Sequence, residues 1–388
     1  MKFLTADYIF SAHTGFIPNG ILALDNNGIV QDLIDPRKTK TLPDAEKYEG
    51  ILCPGFINAH CHLELSYMRG EVARHTGFVG FAKELIAKRK DYSAEMMAQA
   101  IEDADTEMYN NGIVGVGDIS NNSVSFAQKE KSNLHYHTFI ELLALNPLRA
   151  EKVFADGMEL LKTTPPPASL APHAPYSASQ ELLELIGNSS RGENIPLTLH
   201  NQESLAESEF FLKGKGPVRE LYDSWGIDIS FFKPTGLNSL RSKLKNLPQD
   251  RNLILVHNTF TSAEDIRWAE FYSKQLWWCF CPNANLYIEN TLPDYKIFTD
   301  ANVRIVIGTD SLASNDQLSI LDELKIIAKK SPAISLEQLL TWSTKNGAEA
   351  LKFSTLGTFE KNKKPGVILL SGLTNEKLLP ETKVKRIA

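Results

Sequence analysis

The sequence predicts an α/β chain built on a (β/α)8 TIM-type barrel, with a small composite β-sheet contributed by both termini. Three observations predict it. Eight short apolar runs alternate with amphipathic stretches, the signature of parallel strands joined by crossover helices. Their span, 53–355, suits the roughly 250 residues of such a barrel plus insertions. Strand-like text at the two ends, 1–52 and 356–388, is left over and reads as one further β-sandwich domain.

The eight runs are 51–60, 113–119, 134–143, 168–174, 196–202, 252–258, 275–281 and 303–309, each followed by a loop and helix-like text. Helical spacing occupies 78–90, 94–109, 179–186, 263–272 and 318–329. The 204–250 interval is longer than one crossover needs and reads as an active-site insertion, of the kind that closes over substrates. Near the N-terminus, Asn26-Asn27-Gly28 separates two apolar runs as a hairpin turn does, and 366–370 reads as a late strand of the same sheet.

Composition narrows the function classes. Of 388 residues, 43% are apolar, 23% charged and 9% aromatic, the balance of a globular protein rather than a disordered or fibrous one. The net charge is −6 and the basic residues are scattered apart from a short patch at Lys361 to Lys364, so nucleic acid is not an expected partner. No apolar run approaches the ~20 residues that span a bilayer, and the N-terminus does not read as a secretory leader, so no membrane contact and a cytoplasmic location are expected. Cys53, Cys61, Cys279 and Cys281 are too few for a disulfide scaffold and read as reduced, buried residues.

The segment Pro54-Gly55-Phe56-Ile57-Asn58-Ala59-His60-Cys61-His62-Leu63-Glu64 sits at the end of the first barrel strand. Residues two apart on a strand share a side, so His60 and His62 can present both imidazoles to one ion. Three more ligand types fall at later strand ends: His200, His257 and Asp310. In a barrel these ends meet on one face, where a divalent cation can satisfy several buried donors together. Glu203, three residues after His200, adds a carboxyl group suited to relaying protons beside such a cation.

These residues resemble the amidohydrolase superfamily, specifically its deaminase branch, over nearly the whole chain. The resemblance implies that His60, His62, His200 and Asp310 bind one metal, that His257 holds the reacting water, that Asp310 takes its proton and that Glu203 protonates a ring nitrogen before ammonia leaves. Binuclear members carry a lysine at the fourth strand end, where this chain has Leu170-Ala171-Pro172-His173-Ala174-Pro175-Tyr176-Ser177, so one metal is implied. Zn²⁺ suits three His plus Asp, as do Fe²⁺ and Mn²⁺. The zinc deaminases that combine H-x-E with P-C-x-x-C are disfavoured, because Cys279-Phe280-Cys281-Pro282 has the wrong order and spacing.

Within that branch, His60-Cys61-His62-Leu63-Glu64-Leu65-Ser66, His200-Asn201-Gln202-Glu203-Ser204 with Glu207, and Phe231-Phe232 look most like aminodeoxyfutalosine deaminases, which give futalosine and ammonia on the way to menaquinone. The segment around His173 resembles one that contacts nucleoside-like substrates. Cys281-Pro282-Asn283-Ala284-Asn285-Leu286 resembles the family's seventh-strand segment, with Ala284 in place of the usual Ser. Glu64 either hydrogen-bonds the sugar or ring or orients a ligand histidine, and Arg149 is a candidate fork for a substrate carboxylate. Adenosine, methylthioadenosine, S-adenosylhomocysteine, guanine, cytosine or triazine deamination keeps the same metal pattern, as does ring-opening hydrolysis. A metal-stabilised barrel acting only as a binding module has no need of Glu203 or His257. No P-loop, dinucleotide fingerprint or Ser nucleophile elbow implies an organic cofactor, and a homodimer is among the states the sequence leaves open.

Overall fold

The computed structural model describes residues 1–189, 195–374 and 377–388. Five strands come first, β1 (Lys2–Ser11), β2 (Gly15–Pro18), β3 (Ile21–Leu24), β4 (Val30–Ile34) and β5 (Glu46–Pro54). Eight short strands then alternate with helices: β6 (Phe56–Cys61), β7 (Ile113–Ser120), β8 (His135–Leu142), β9 (Ala168–Pro172), β10 (Leu197–Asn201), β11 (Leu253–His257), β12 (Leu276–Phe280) and β13 (Ile305–Ile307). Strands β14 (Val367–Ser371) and β15 (Lys383–Arg386) follow late in the chain.

Strands β6 to β9 form one parallel four-stranded sheet in sequence order and β10 to β13 form another. Every residue of β6, β7, β10, β11 and β12 is buried, as expected of parallel strands covered on both faces. At one junction of the sheets His200 N donates to His173 O at 2.9 Å. At the other, Cys61 and Asp310 form a parallel bridge, with Thr309 N and Asp310 N both donating to His60 O. Gly308 allows that approach, since a Cβ there would lie 2.8 Å from the His60 Cβ. The ladder thins at these seams because β9 ends on Pro172, which has no amide to donate, and β13 has only three residues.

The seven remaining strands form a separate sheet from both ends of the chain, with β14 antiparallel to β5 and β5 parallel to β1. The Asn26-Asn27-Gly28 turn joins antiparallel β3 and β4. The expected 51–60 strand is in fact two: Ile51 to Pro54 belong to the terminal sheet and Phe56 to Cys61 to the parallel one. The break falls at Gly55, where any Cβ would collide with Val114 and crowd the Pro365 carbonyl. Continuous apolar text hid this change of sheet, because both halves are buried.

The expected helices form as Gly77–Lys88, Ala94–Asn110, Gln180–Ser189, Ala263–Tyr272 and Ile320–Lys330, three of them opened by Ser93, Ser262 and Ser319 side chains that accept backbone amides. The 204–250 interval carries three short α-helices, Leu205–Lys213, Pro217–Ser224 and Ser239–Lys243. Phe210 stacks on Phe232 at 4.0 Å, and with Phe211 and Tyr222 they share a core with Phe78 and Tyr176, so the insertion is packed beside the β9 end. Among the described residues no helix is long and apolar enough to cross a membrane.

Candidate metal centre

The parallel register gathers the candidate ligands. His60 and His62 leave the end of β6, His200 lies one residue from the end of β10, His257 ends β11, and Asp310 follows β13 beside Cys61. Asn201 pairs with His257 across β10 and β11, and the His200 and His257 rings stack at 5.4 Å. The His62 Nε2 atom lies 3.2 Å from His60 Nε2, 3.3 Å from His200 Nε2 and 3.4 Å from Asp310 Oδ1, while His60 Nε2 is 3.5 Å from the same oxygen. Donors about 2.0–2.1 Å from one zinc ion at tetrahedral angles stand roughly 3.3 Å apart, so these four atoms fit a divalent cation. His257 offers a further nitrogen: with His60, His200 and Asp310 its donor atoms all lie within 4.8 Å of one another.

Hydrogen bonding fixes which nitrogens face the centre. His200 Nδ1 is 2.8 Å from the His173 carbonyl oxygen, which can only accept, so the ring carries its proton there and turns a bare Nε2 inward. His257 Nδ1 stands likewise 2.9 Å from Asn285 Oδ1. Burial holds the His62 imidazole down to about 3 and His200 well below the ordinary range, which keeps their lone pairs available. Burial alone would raise the Asp310 carboxyl, but its hydrogen bond with His60 and the surrounding imidazoles more than reverse this and hold it well below the usual range. Ser314 Oγ donates to the outer Asp310 oxygen at 2.6 Å.

Glu203 sits with Oε1 3.8 Å from His257 Nε2, and burial pushes its carboxyl up to about 7 against the pull of that imidazole. The loop carrying it is gripped by Glu207, whose two oxygens accept the Gln202 and Glu203 amides at 3.1 Å each. Backbone φ is +46° at Gln202, +74° at His257 and +60° at Asp310, a left-handed conformation unusual for such residues and frequent at functional sites.

The other candidates are spread around this centre. His173 lies half-buried with its ring 4.8 Å from that of His200 and its Nδ1 2.7 Å from Ser177 Oγ. Glu64 Oε2 accepts the Asn121 amide at 3.0 Å and Oε1 is 3.7 Å from Arg89; among the described residues no hydrogen bond joins Glu64 to an imidazole. Arg149 is exposed at the start of the Ala150–Lys162 helix, and no described contact brings it to the imidazoles. Sequence reasoning missed Glu141, whose Oε1 is 3.6 Å from His200 Nδ1 and whose Oε2 takes a hydrogen bond from Asn121. Its place at the end of the third strand window was the available signal. It also missed Arg89, which nothing in the text Lys88-Arg89-Lys90 sets apart, and the role of Asn285.

A family model described as Amidohydrolase family matches residues 51–386. The chain belongs to the amidohydrolase family. By family this amidohydrolase is a hydrolase, and its homologues are deaminases. It is 28% identical over 342 residues to an adenosine deaminase of Helicobacter pylori, covering 85% of this chain and 81% of that protein. It is 25% identical over 367 residues to an aminodeoxyfutalosine deaminase of Deinococcus radiodurans, covering 89% and 84%. Among solved structures it resembles Helicobacter pylori aminofutalosine deaminase in complex with methylthio-coformycin, with a TM-score of 0.83 and 23% identity over the whole of both chains.

Proposed function

We propose that this amidohydrolase deaminates an adenine-type ring, and that its substrate is 6-amino-6-deoxyfutalosine, released as futalosine and ammonia in menaquinone biosynthesis. The observation that carries the reading is Glu203: a buried carboxyl that keeps its proton near neutrality, 3.8 Å from His257 and beside a centre of three imidazoles and Asp310. Deaminase homologues that cover more than four-fifths of the chain support the adenine-type ring. The same reading takes the two parallel sheets as halves of one (β/α)8 barrel, 53–355, and 1–52 with 356–388 as its composite β domain.

A divalent cation held by His60, His62, His200 and Asp310, zinc before iron or manganese, would lower the pKa of water towards about 7 and so supply the nucleophile. His257, its Nδ1 engaged by Asn285, presents Nε2 to hold the attacking water in line. Asp310, kept ionised, accepts the proton that this water releases. Glu203 delivers its proton to the ring nitrogen, Asp310 passes the proton it took from water to the amino group, and the tetrahedral carbon expels ammonia as its hydroxyl proton returns to Glu203, leaving a lactam. Glu64 and His173 contact the substrate, and the cation that meets a substrate carboxylate is either Arg149 or Arg89.

The test is ammonia release by purified, metal-quantified protein on 6-amino-6-deoxyfutalosine, S-adenosylhomocysteine, methylthioadenosine, adenosine, guanine and cytosine, with a Glu203→Gln control. Turnover confined to the first and abolished in the control is the expected result. Preference for another adenosine derivative moves the substrate but keeps the chemistry, and metal-loaded protein inert on all six overturns the deaminase reading.

A further inference from the structure

We infer that Asp118 and Lys129, a buried ion pair away from the reacting atoms, are positioning residues that set the geometry of the His60 and His62 pair. The inference rests on reading those histidines as metal ligands. Asp118 lies on β7 and Lys129 on the Phe126–Lys131 helix, and neither side chain is more than 1% exposed. Their nearest charged atoms are 2.5 Å apart.

The network is complete at both ends. The lysine ammonium has three N–H donors and meets three acceptors: Asp118 Oδ2 at 2.5 Å, Ser120 Oγ at 2.9 Å and Thr138 Oγ1 at 3.1 Å. The rings of Phe126 and Tyr136 flank it at 5.7 and 5.6 Å. The other Asp118 oxygen, Oδ1, accepts the amide of Leu63 at 2.7 Å, and Leu63 is the residue directly after His62.

That amide falls where ordinary sheet pairing no longer holds β6. The β6–β7 register shifts between Asn58 and Cys61, so His60 lies within the irregularity. The His60 carbonyl is taken from the other side, by Thr309 N at 3.0 Å and Asp310 N at 3.1 Å. The His60–Leu63 stretch that holds both ligands is therefore pinned by the β13 end at His60 and by Asp118 at Leu63. Lys129 in turn fixes the Asp118 carboxylate, tying it to Ser120 on the same strand and Thr138 on β8.

Stability alone does not explain such a pair. Taking both charges out of water costs as much as their attraction returns, and apolar residues of the same volume commonly serve a core equally well. What the pair supplies is direction: one acceptor oxygen held in place under the amide that follows a ligand. Outer-sphere groups that orient metal ligands typically change affinity 10–100-fold when removed.

Zinc affinity, measured by competition with a chromophoric chelator, tests this in the full-length protein. Lys129→Met and the charge-neutral Asp118→Asn/Lys129→Met double variant should each bind zinc about 10–100-fold more weakly. Lys129→Arg should recover most of the affinity, and at saturating zinc kcat should fall with KM little changed. Should Lys129→Met fail to fold, the double variant, which leaves no unpaired buried charge, decides. A purely structural pair predicts a lower melting temperature of the metal-free protein with zinc affinity unchanged, and that result overturns the inference. Wild-type protein that binds no zinc, iron or manganese would instead overturn the metal-centre reading beneath it.

Discussion

The terminal sheet and the strand ends that carry the candidate site are equally buried, but by opposite chemistry. Between β1, β3, β4, β5 and β14 lie Leu4, Ala6, Ile9, Leu22, Leu24, Val30, Leu52, Phe359 and Val367, an apolar cluster with Tyr48 packed at its margin. Around the ends of β6, β10, β11 and β13 lie His60, His62, His200, Glu203, His257 and Asp310, with Glu64, Glu141 and Glu207 close behind, all of them buried. Apolar burial is non-directional and indifferent to protonation. Buried polar groups must each find a partner, so they specify geometry at the cost of sensitivity to pH and to a bound cation.

The sharpest way to break this contrast is Glu203→Gln. Removing a positioned proton donor should lower kcat by about 10²–10⁴ with metal content and melting temperature nearly unchanged, as read by single-turnover ammonia release. Near-normal turnover would remove Glu203 from the chemistry. In the terminal sheet, Leu52→Ala should cost about 2–5 kcal/mol in denaturant unfolding, while kcat per folded molecule stays the same. Loss of activity in proportion to stability would mean that the two regions are not separable.

Chelation should act on the site alone. With zinc at about 100 times its Kd, the loaded protein should be more stable than the stripped one by about 2.7 kcal/mol, a difference that Leu52→Ala leaves unaltered. An unchanged melting temperature after stripping would count against the centre.

The pH dependence sharpens the contrast further. In the stripped protein the Glu203 carboxyl is raised from 4.5 to about 7, so the folded state binds its proton more tightly than the unfolded state. Its contribution to stability is complete below about 4.5 and is lost as pH rises through about 7. Stripped Glu203→Gln should therefore gain stability relative to wild type across that window, at no more than about 1.4 kcal/mol per pH unit. The deficit of Leu52→Ala should be flat over the same range. Smallest of all is the choice between arginines: the one that meets a substrate carboxylate should raise KM about tenfold on replacement by Ala, and the other should change it little.

Much of the architecture was legible because it is written in local patterns. All eight apolar windows contain strands, since parallel strands are short apolar runs whatever their neighbours. His60, His62, His200, His257 and Asp310 could be singled out because each stands at the end of such a run. Glu141 stands at one too and was passed over, its run ending in a mixture of polar and apolar residues. The break at Gly55 was invisible, because what forbids a side chain there is Val114 and Pro365, far away in sequence. Asn285 beneath His257 joins two strand–helix units, while Arg89 beside Glu64 and Lys129 against Asp118 meet only because the helical segment after a strand folds back towards it, and no spacing rule connects any of these pairs.

By itself, then, the sequence determined the alternation of strand and helix, the identity of the donor atoms and their places at strand ends, because periodicity and residue chemistry are properties of short stretches. Only the tertiary structure decided that four of those atoms stand 3.2 to 3.5 Å from their neighbours, which imidazole nitrogen faces inward, and that burial raises the Glu203 carboxyl along with those of Glu64, Glu141 and Glu207. Those are matters of distance and desolvation, and both arise only when distant segments close around the same few ångströms.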